Sequence, residues 1–175
     1  MSDHIALHDL SSEKGVAAFR AAMRLIVGNV SVITAGTGAD RSGLVVISMV
    51  SLSANPPKVI ACVNRSSSTW PLIERFGHFG VSSLGPQHQP VAERFSGFGG
   101  IKGVDRYEGA DWITLVTGAS LLDGAVAVFD CRLDEMIDRG SHSIVIGSVA
   151  AVGTRDENGA LIYWRGGYRP LQAVA

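Results

Sequence analysis

The sequence predicts a mainly β domain, an antiparallel barrel that is closed or nearly closed, with two or three short helices. Three observations carry this. Six or seven short apolar runs follow one another at hairpin spacing. Turn residues (Gly, Asn, Asp, Pro) separate them. The regular strand–helix alternation of a doubly wound sheet is missing, and closing an antiparallel sheet removes its exposed edges.

Taken in order, residues 1–11 read as a flexible N-terminal arm and residues 12–175 as one domain. From Ser12, apolar residues at Val16, Phe19, Met23 and Ile26/Val27 have helical spacing. Ser11 or Ser12 is the candidate N-cap, and Gly28-Asn29 ends the helix. Val30 to Thr34 is the first strand, Gly36 to Asp40 a turn, and Leu44 to Leu52 the second strand. Lys58 to Val63 and Phe79 to Leu84 follow, then a short helix over Gln87 to Phe95. Gly97 to Gly109 carries five glycines and reads as a loop. Ala125 to Glu135 alternates, with Ala127, Phe129, Cys131 and Leu133 on one face and Asp130, Arg132 and Asp134 on the other. Ser143 to Val152 and Leu161 to Trp164 complete the strands. Between them Asp156-Glu157-Asn158-Gly159 is a hairpin turn, because Asn-Gly tolerates positive φ angles. Tyr168-Arg169, after Gly166-Gly167, forms a tail packed on the barrel.

Composition bounds the function. The chain has 175 residues, 46% of them hydrophobic, enough to bury a core in one domain. With 15 basic and 16 acidic residues the formal net charge is −1, which argues against nucleic acid as a partner. No apolar run approaches the ~20 residues of a membrane span, and the first residues lack the pattern of a signal peptide. Cys62 and Cys131 lie far apart in apolar strands and read as buried thiols in a reducing cytoplasm.

Several familiar sites are missing. Lys102 stands where a Gly97-x-Gly99 dinucleotide fingerprint needs its third glycine. There is no P-loop and no Gly-x-Ser-x-Gly elbow. The five histidines show no metal-ligand spacing. What remains is Gly43 to Ile73. Two apolar strand-like runs flank Asn55-Pro56-Pro57, and Arg65-Ser66-Ser67-Ser68-Thr69 then opens a short helix. Hydroxyls and free amides there make a phosphate seat, and Arg65 can pair with phosphate oxygens. Plain helix capping by Ser68 or Thr69, with Pro71 in the first turn, explains the same residues. A phosphate seat beside a buried β-surface suits a cofactor with an apolar ring at one end and a phosphate at the other. Flavin is the candidate. Ser48, Ser51 and Ser53 fit either a tight β-arch or a backbone running along a flavin ring. His142 reads as strand-end packing, and Arg94-Phe95 as a helix-end cation beside a core aromatic.

Seven segments in order resemble the short-chain flavin reductases, the reductase components of two-component flavin-dependent monooxygenases. They are Phe19 to Arg24 leading into Val30 to Ala35, Gly43 to Pro57, Cys62 to Leu72, Phe79 to Ser83, Ala92 to Phe95, Gly140-Ser141-His142, and Tyr163 to Tyr168. Gly43 to Pro57 is similar to the family's Gly-x-Thr-x-Ser-Ser-Phe-x-Ser-x-Ser-Leu-x-Pro-Pro, with Val45, Ile47 and Met49 in place of its Thr, first Ser and Phe. Ser141 stands where an Asp often precedes the late His. The resemblance implies an FMN-binding split β-barrel of Greek-key antiparallel type, usually a homodimer, that reduces FMN or FAD with NADH or NADPH and passes reduced flavin to a monooxygenase. It implies Val46, Ile47, Ser48 and Met49 along the isoalloxazine ring, and Asn64, Ser67, Ser68 and Thr69 at the ribityl and phosphate end. Arg94 and Phe95 would flank the cofactor and His142 would lie near the nicotinamide. Val45, Ile47 and Ser141 also suit a flavin carrier or sensor without turnover. An oxidase on the same barrel would want several basic residues, and the chain has only three lysines.

Overall fold

The computed structural model describes residues 5, 7–155 and 159–172. Its elements in chain order are α1 (Glu13–Met23), β1 (Gly28–Asn29), β2 (Ser31–Thr37), β3 (Asp40–Val46), β4 (Val50–Ala54) and β5 (Pro57–Asn64). Then come α2 (Trp70–Phe76), β6 (His78–Ser83), α3 (Gln89–Phe95), β7 (Trp112–Thr114), β8 (Ser120–Leu122), β9 (Ala127–Arg139), β10 (His142–Thr154), β11 (Gly159–Trp164) and β12 (Gly167–Gln172). The architecture is mainly β and antiparallel throughout.

The main sheet has seven strands in the order β3-β2-β6-β9-β10-β5-β4. Its two edge strands, β3 and β4, are consecutive in the chain. Only Ile47, Ser48 and Met49 lie between them. Four Cα steps span at most about 15 Å, so the edges must come together and the sheet must roll up. The roll is stitched by a side chain. Ser48 Oγ accepts from the Cys62 N–H at 3.0 Å and lies 3.4 Å from the Cys62 carbonyl, to which it donates. The barrel is therefore split: a hydroxyl bridges the seam where no backbone ladder joins β3 to β4.

Period-2 alternation fills the roll. Ile33 and Ala35 of β2, Val59, Ala61 and Val63 of β5, Phe79 and Val81 of β6, Cys131 of β9 and Val145 of β10 form one core with Leu72 and Ile73 of α2. Burying each large apolar side chain stabilises the fold by about 1.5–3 kcal/mol. A second core lies on the other face of β2. There Val30 and Val32 meet Val91, Ala92 and Phe95 of α3, together with Tyr107, Leu121, Leu122, Val128 and Leu161. β2 is thus covered on both sides, and its first six residues are all buried.

Several expectations need correction. The run Leu44 to Leu52 is two strands, because the Ser48 stitch takes the chain out of one ladder and into another. Helix α1 is capped by Ser12, whose Oγ accepts from Gly15 N–H at 3.2 Å, but it ends at Met23. Gly28-Asn29 instead pairs with Tyr163 and Ile162. Its apolar stripe is exposed: Val16, Phe19 and Met23 are 44%, 52% and 47% accessible. Among the described residues there are twelve strands rather than six or seven. The additional ones include β1, β7 and β8, of two or three residues, too short to show a period. The tail expected around Tyr168 is β12, paired along β11. The glycine-rich loop holds two 3₁₀ turns, Phe98–Gly100 and Gly103–Tyr107. The Asp156–Gly159 turn falls mostly outside the described residues, as does part of the expected arm. Of the two cysteines only Cys131 is buried; Cys62 is exposed, and both are free.

Gly147 marks a close approach. A Cβ added there would run into the Phe79 ring and come within 3.0 Å of Cys131 Cβ. Gly147→Ala is expected to destabilise the fold by about 1–3 kcal/mol. A urea melt should show a lower midpoint with an unchanged slope.

Candidate functional site

A groove opens along the seam. Leu44, Val45, Val46, Ile47 and Ser48 form one wall; Cys62 and Asn64 of β5 and His142 of β10 form the other. Its volume is about 310 Å³. The seam explains why it exists here. The β2–β3 ladder ends at the Ser31–Val46 pair, and the β10–β5 ladder ends where His142 faces Asn64. The Ile47 and Ser48 N–H groups make no hydrogen bond to another described residue. Half-exposed main-chain donors at a seam are available to a ligand.

One end of the groove runs into the loop from Asn64 to Thr69. Asn64 Oδ1 accepts from both the N–H and the Oγ of Ser66, each at 2.9 Å, a turn that Asn side chains favour. Ser67 Oγ accepts from Trp70 N–H at 3.2 Å, so Ser67 caps α2. Capping by Ser68 or Thr69 is not observed. Thr69, at the cap position, makes no such bond. Instead Ser68 Oγ lies 2.8 Å from Ser42 Oγ, and Thr69 Oγ1 donates to the same oxygen at 3.4 Å. The hydroxyls are thus tied back to β3. The N–H groups of Ser68 and Thr69 have no partner among the described residues.

Arg65 does not offer a free charge to this loop. Its guanidinium pairs with Asp138 at 3.1 Å and sits 5.5 Å from the Trp70 ring centroid. Trp70 Nε1 donates to Ser143 Oγ at 2.8 Å, and Ser143 Oγ donates to Asp138 Oδ1 at 2.6 Å. The four residues hold α2 against the end of the β9–β10 hairpin.

The structure therefore brings Val46, Ile47, Ser48, Asn64 and His142 to one groove, with Ser67, Ser68 and Thr69 in the adjoining loop. Met49 turns into the core. Arg94 and Phe95 are elsewhere. Arg94 pairs with Glu108 at 3.1 Å and donates to the Asp105 and Arg106 carbonyls. Phe95 is 1% accessible, with its ring centroid 5.1 Å from Tyr107 and 5.3 Å from Trp112. Their influence on the groove is indirect. They fix the loop whose Arg106 donates to the Gly43 carbonyl and whose Tyr107 hydroxyl donates to the Ser42 carbonyl at 2.8 Å. Burial pushes the Tyr107 hydroxyl well above its usual pKa, so it stays a donor.

Two groups escaped the sequence. Ser42 is the hub of the hydroxyl network, with no local signal to mark it. Cys62 lines the groove, and this was readable: Val59, Ala61 and Val63 face inward, so Cys62 must face out. Burial first, and then the neighbouring Asp130, pushes the Cys131 thiol up to about 12.

An antiparallel barrel with an apolar strand wall, unpaired amides and a hydroxyl-rich loop defines a class: a domain that holds an amphipathic, phosphate-bearing cofactor at its seam. Flavin fits both ends of this groove. Comparison makes the assignment specific. Residues 23–172 match the profile of the flavin reductase like domain, and the chain belongs to that family. It is 33% identical over 155 residues to the FMN reductase (NADH) RutF of Stutzerimonas stutzeri, covering 89% of this chain and 88% of that one. The NADH:FAD oxidoreductase SgcE6 of Streptomyces globisporus superposes with a TM-score of 0.85 at 26% identity, over 98% of this chain and all of that one. The styrene monooxygenase flavin reductase of Pseudomonas putida gives 0.78 at 26% identity, over 90% and 99%.

The thiols allow a check on the groove. A thiol reagent should modify one cysteine, Cys62, in the native protein and two in denaturant. Saturating FMN should slow the native reaction, as followed by reagent absorbance.

Proposed function

We infer that this protein is an NADH-dependent flavin reductase that supplies reduced flavin to a separate monooxygenase. The observation that carries the reading is the groove at the seam, where an apolar wall meets unpaired amides at both ends. The relatives named for NADH-dependent flavin reduction support it, and the styrene monooxygenase reductase supports the kind of partner.

Bound flavin supplies the hydride acceptor and reduced nicotinamide the donor, so the protein's task is position and electrostatics. Ile47 offers the apolar wall for the ring system, with the Val46 main chain beside it and the Val46 side chain turned into the core. The Ile47 and Ser48 N–H groups are donors for its polar edge, where they would favour negative charge. Asn64 and Ser67 shape the loop whose exposed Ser68 N–H can receive the phosphate, whereas Thr69 is fully buried and serves the loop from inside. Ser48, by closing the seam, fixes the distance between the two walls. His142 stands at the rim, with Nδ1 2.9 Å from Ser141 Oγ, where it can orient a carboxamide. No side-chain nucleophile is required.

The test is NADH oxidation, followed at the nicotinamide absorbance band with and without FMN or FAD. Oxidation should depend on added flavin. Flavin binding without any oxidation, with either nicotinamide, would instead fit a carrier or sensor.

The functional unit is proposed to be a homodimer. The support is the exposed stripe of α1, with Leu25, Ile26 and Val27 beyond it, these three each more than half accessible. Apolar surface of this extent in one place favours a protein partner. Sedimentation should give a dimer for the parent protein and a monomer for Phe19→Ser/Met23→Ser. A cytoplasmic location is proposed on the two free thiols.

A further inference from the structure

Ser42 is a polar residue on an apolar face. Along β3 it alternates with Leu44 and Val46, which pack in the first core, and it is 2% accessible. Its main chain is clamped, because the Tyr107 hydroxyl donates to the Ser42 carbonyl at 2.8 Å. Tyr107 is itself buried, with its ring centroid 5.1 Å from Phe95 and 4.8 Å from Trp112. The Arg41 guanidinium lies 4.1 Å from the same ring. The Ser42 side chain therefore works from a fixed point. Its Oγ accepts from Thr69 Oγ1 at 3.4 Å and lies 2.8 Å from Ser68 Oγ, both in the loop that follows β5. Ser42 and Ser48 thus cross the seam at the two ends of the Leu44–Ser48 wall.

The direction of these bonds matters. A hydroxyl has one proton to give and two lone pairs. With Thr69 donating to Ser42, the Ser42 proton needs an acceptor of its own, because a buried O–H without one is costly. Among the described residues that acceptor is Ser68 Oγ. Ser42 therefore donates to Ser68, and the Ser68 proton is left over. Thr69 is fully buried and Ser68 is exposed. The chain from Thr69 through Ser42 to Ser68 runs from the interior outward and ends in a free O–H at the loop surface. Donors in series strengthen one another. The neighbouring Arg65 guanidinium is already paired with Asp138, so neutral donors carry more of the hold on an anion here.

We propose that Ser42 is a positioning residue for the phosphate of a bound flavin. It fixes the Ser68 hydroxyl, from behind, as a donor to that phosphate. The inference deepens the reading of the groove as the flavin site and rests on it. Ser42 itself touches no ligand. A phosphate monoester carries about −1.5 to −2 charge at neutral pH and three strong acceptor oxygens. Riboflavin ends in a hydroxyl instead. A directed O–H at this place therefore separates flavins that carry a phosphate from one that does not.

The test compares dissociation constants for FMN and riboflavin, read by flavin fluorescence, in Ser42→Ala, Ser68→Ala and the double variant. Ser42→Ala should raise the FMN constant by about three- to tenfold and leave riboflavin within about twofold. In the Ser68→Ala background the same substitution should change FMN binding by less than about twofold, since Ser42 acts through that hydroxyl. Thr69→Val, which breaks the chain one step deeper at a longer bond, should weaken FMN by about two- to threefold. Thr69→Ser keeps the hydroxyl and should match the parent protein. Equal losses for FMN and riboflavin in Ser42→Ala, or additive losses in the double variant, would make Ser42 a purely structural residue. Either result overturns the proposal and leaves the flavin groove standing. If Ser42→Ala does not fold, Thr69→Val set against Thr69→Ser carries the test, and an unchanged ratio of FMN to riboflavin affinity in Thr69→Val overturns it. No binding of either flavin by the parent protein overturns the proposal and the reading of the groove together.

Discussion

The fold turns on a three-residue crossing. Ile47, Ser48 and Met49 carry the chain from one edge of a seven-stranded sheet to the other, and the sheet has no choice but to roll. A single hydroxyl then holds the seam, with Ser48 on the Cys62 backbone. Both cores depend on this. Met49 drops into the interior beside Val59 and Val63, while Val45 on the outer side meets the tyrosines. A seam that is bridged by a side chain leaves main-chain groups unpaired, and a protein normally pairs them. Here they face a groove. Structure and binding capacity have one origin.

The outer layer is built to keep that seam in place. Loop residues Arg106 and Tyr107 hold the Gly43 and Ser42 carbonyls, and Arg94 and Phe95 hold the loop. Gly43 can pair so closely because a Cβ there would strike the Phe95 ring. On the opposite flank a buried carboxylate, Asp130, accepts from the N–H and hydroxyl of Thr117 and anchors the approach to β8.

Most of the architecture was legible because period-2 patterns are long where strands are inner-facing: β5, β6, β9 and β10 stand close to where alternation puts them. The break inside Leu44 to Leu52 was not legible. Every residue there suits a strand, and only the distant Cys62 backbone decides that Ser48 leaves the ladder. The exposed side of α1 has the opposite lesson. Its spacing is plain, but spacing does not say whether the face it creates meets this chain. In the site, most of the residues that the resemblance names fall along the groove wall and in the serine loop. The plain capping reading chose the wrong hydroxyls, since hydroxyls at consecutive positions are equivalent in sequence and are sorted only by the Ser42 hub. Arg94 and Phe95 follow the same logic: near the site along the chain's pattern, they serve it from behind.

The pairing of Arg65 with Asp138 has a consequence for the reductase's economy of hold and release. Its charge is already neutralised next to the loop that would seat a phosphate, which leaves dipoles rather than a cation to grip the anion. A grip of that kind is short in range and falls away once the ligand shifts by a few ångströms, whereas a bare guanidinium would pull over about 8–10 Å at physiological salt. For a carrier molecule that must be picked up, changed and handed on, the loop is a place to pause rather than a place to stay.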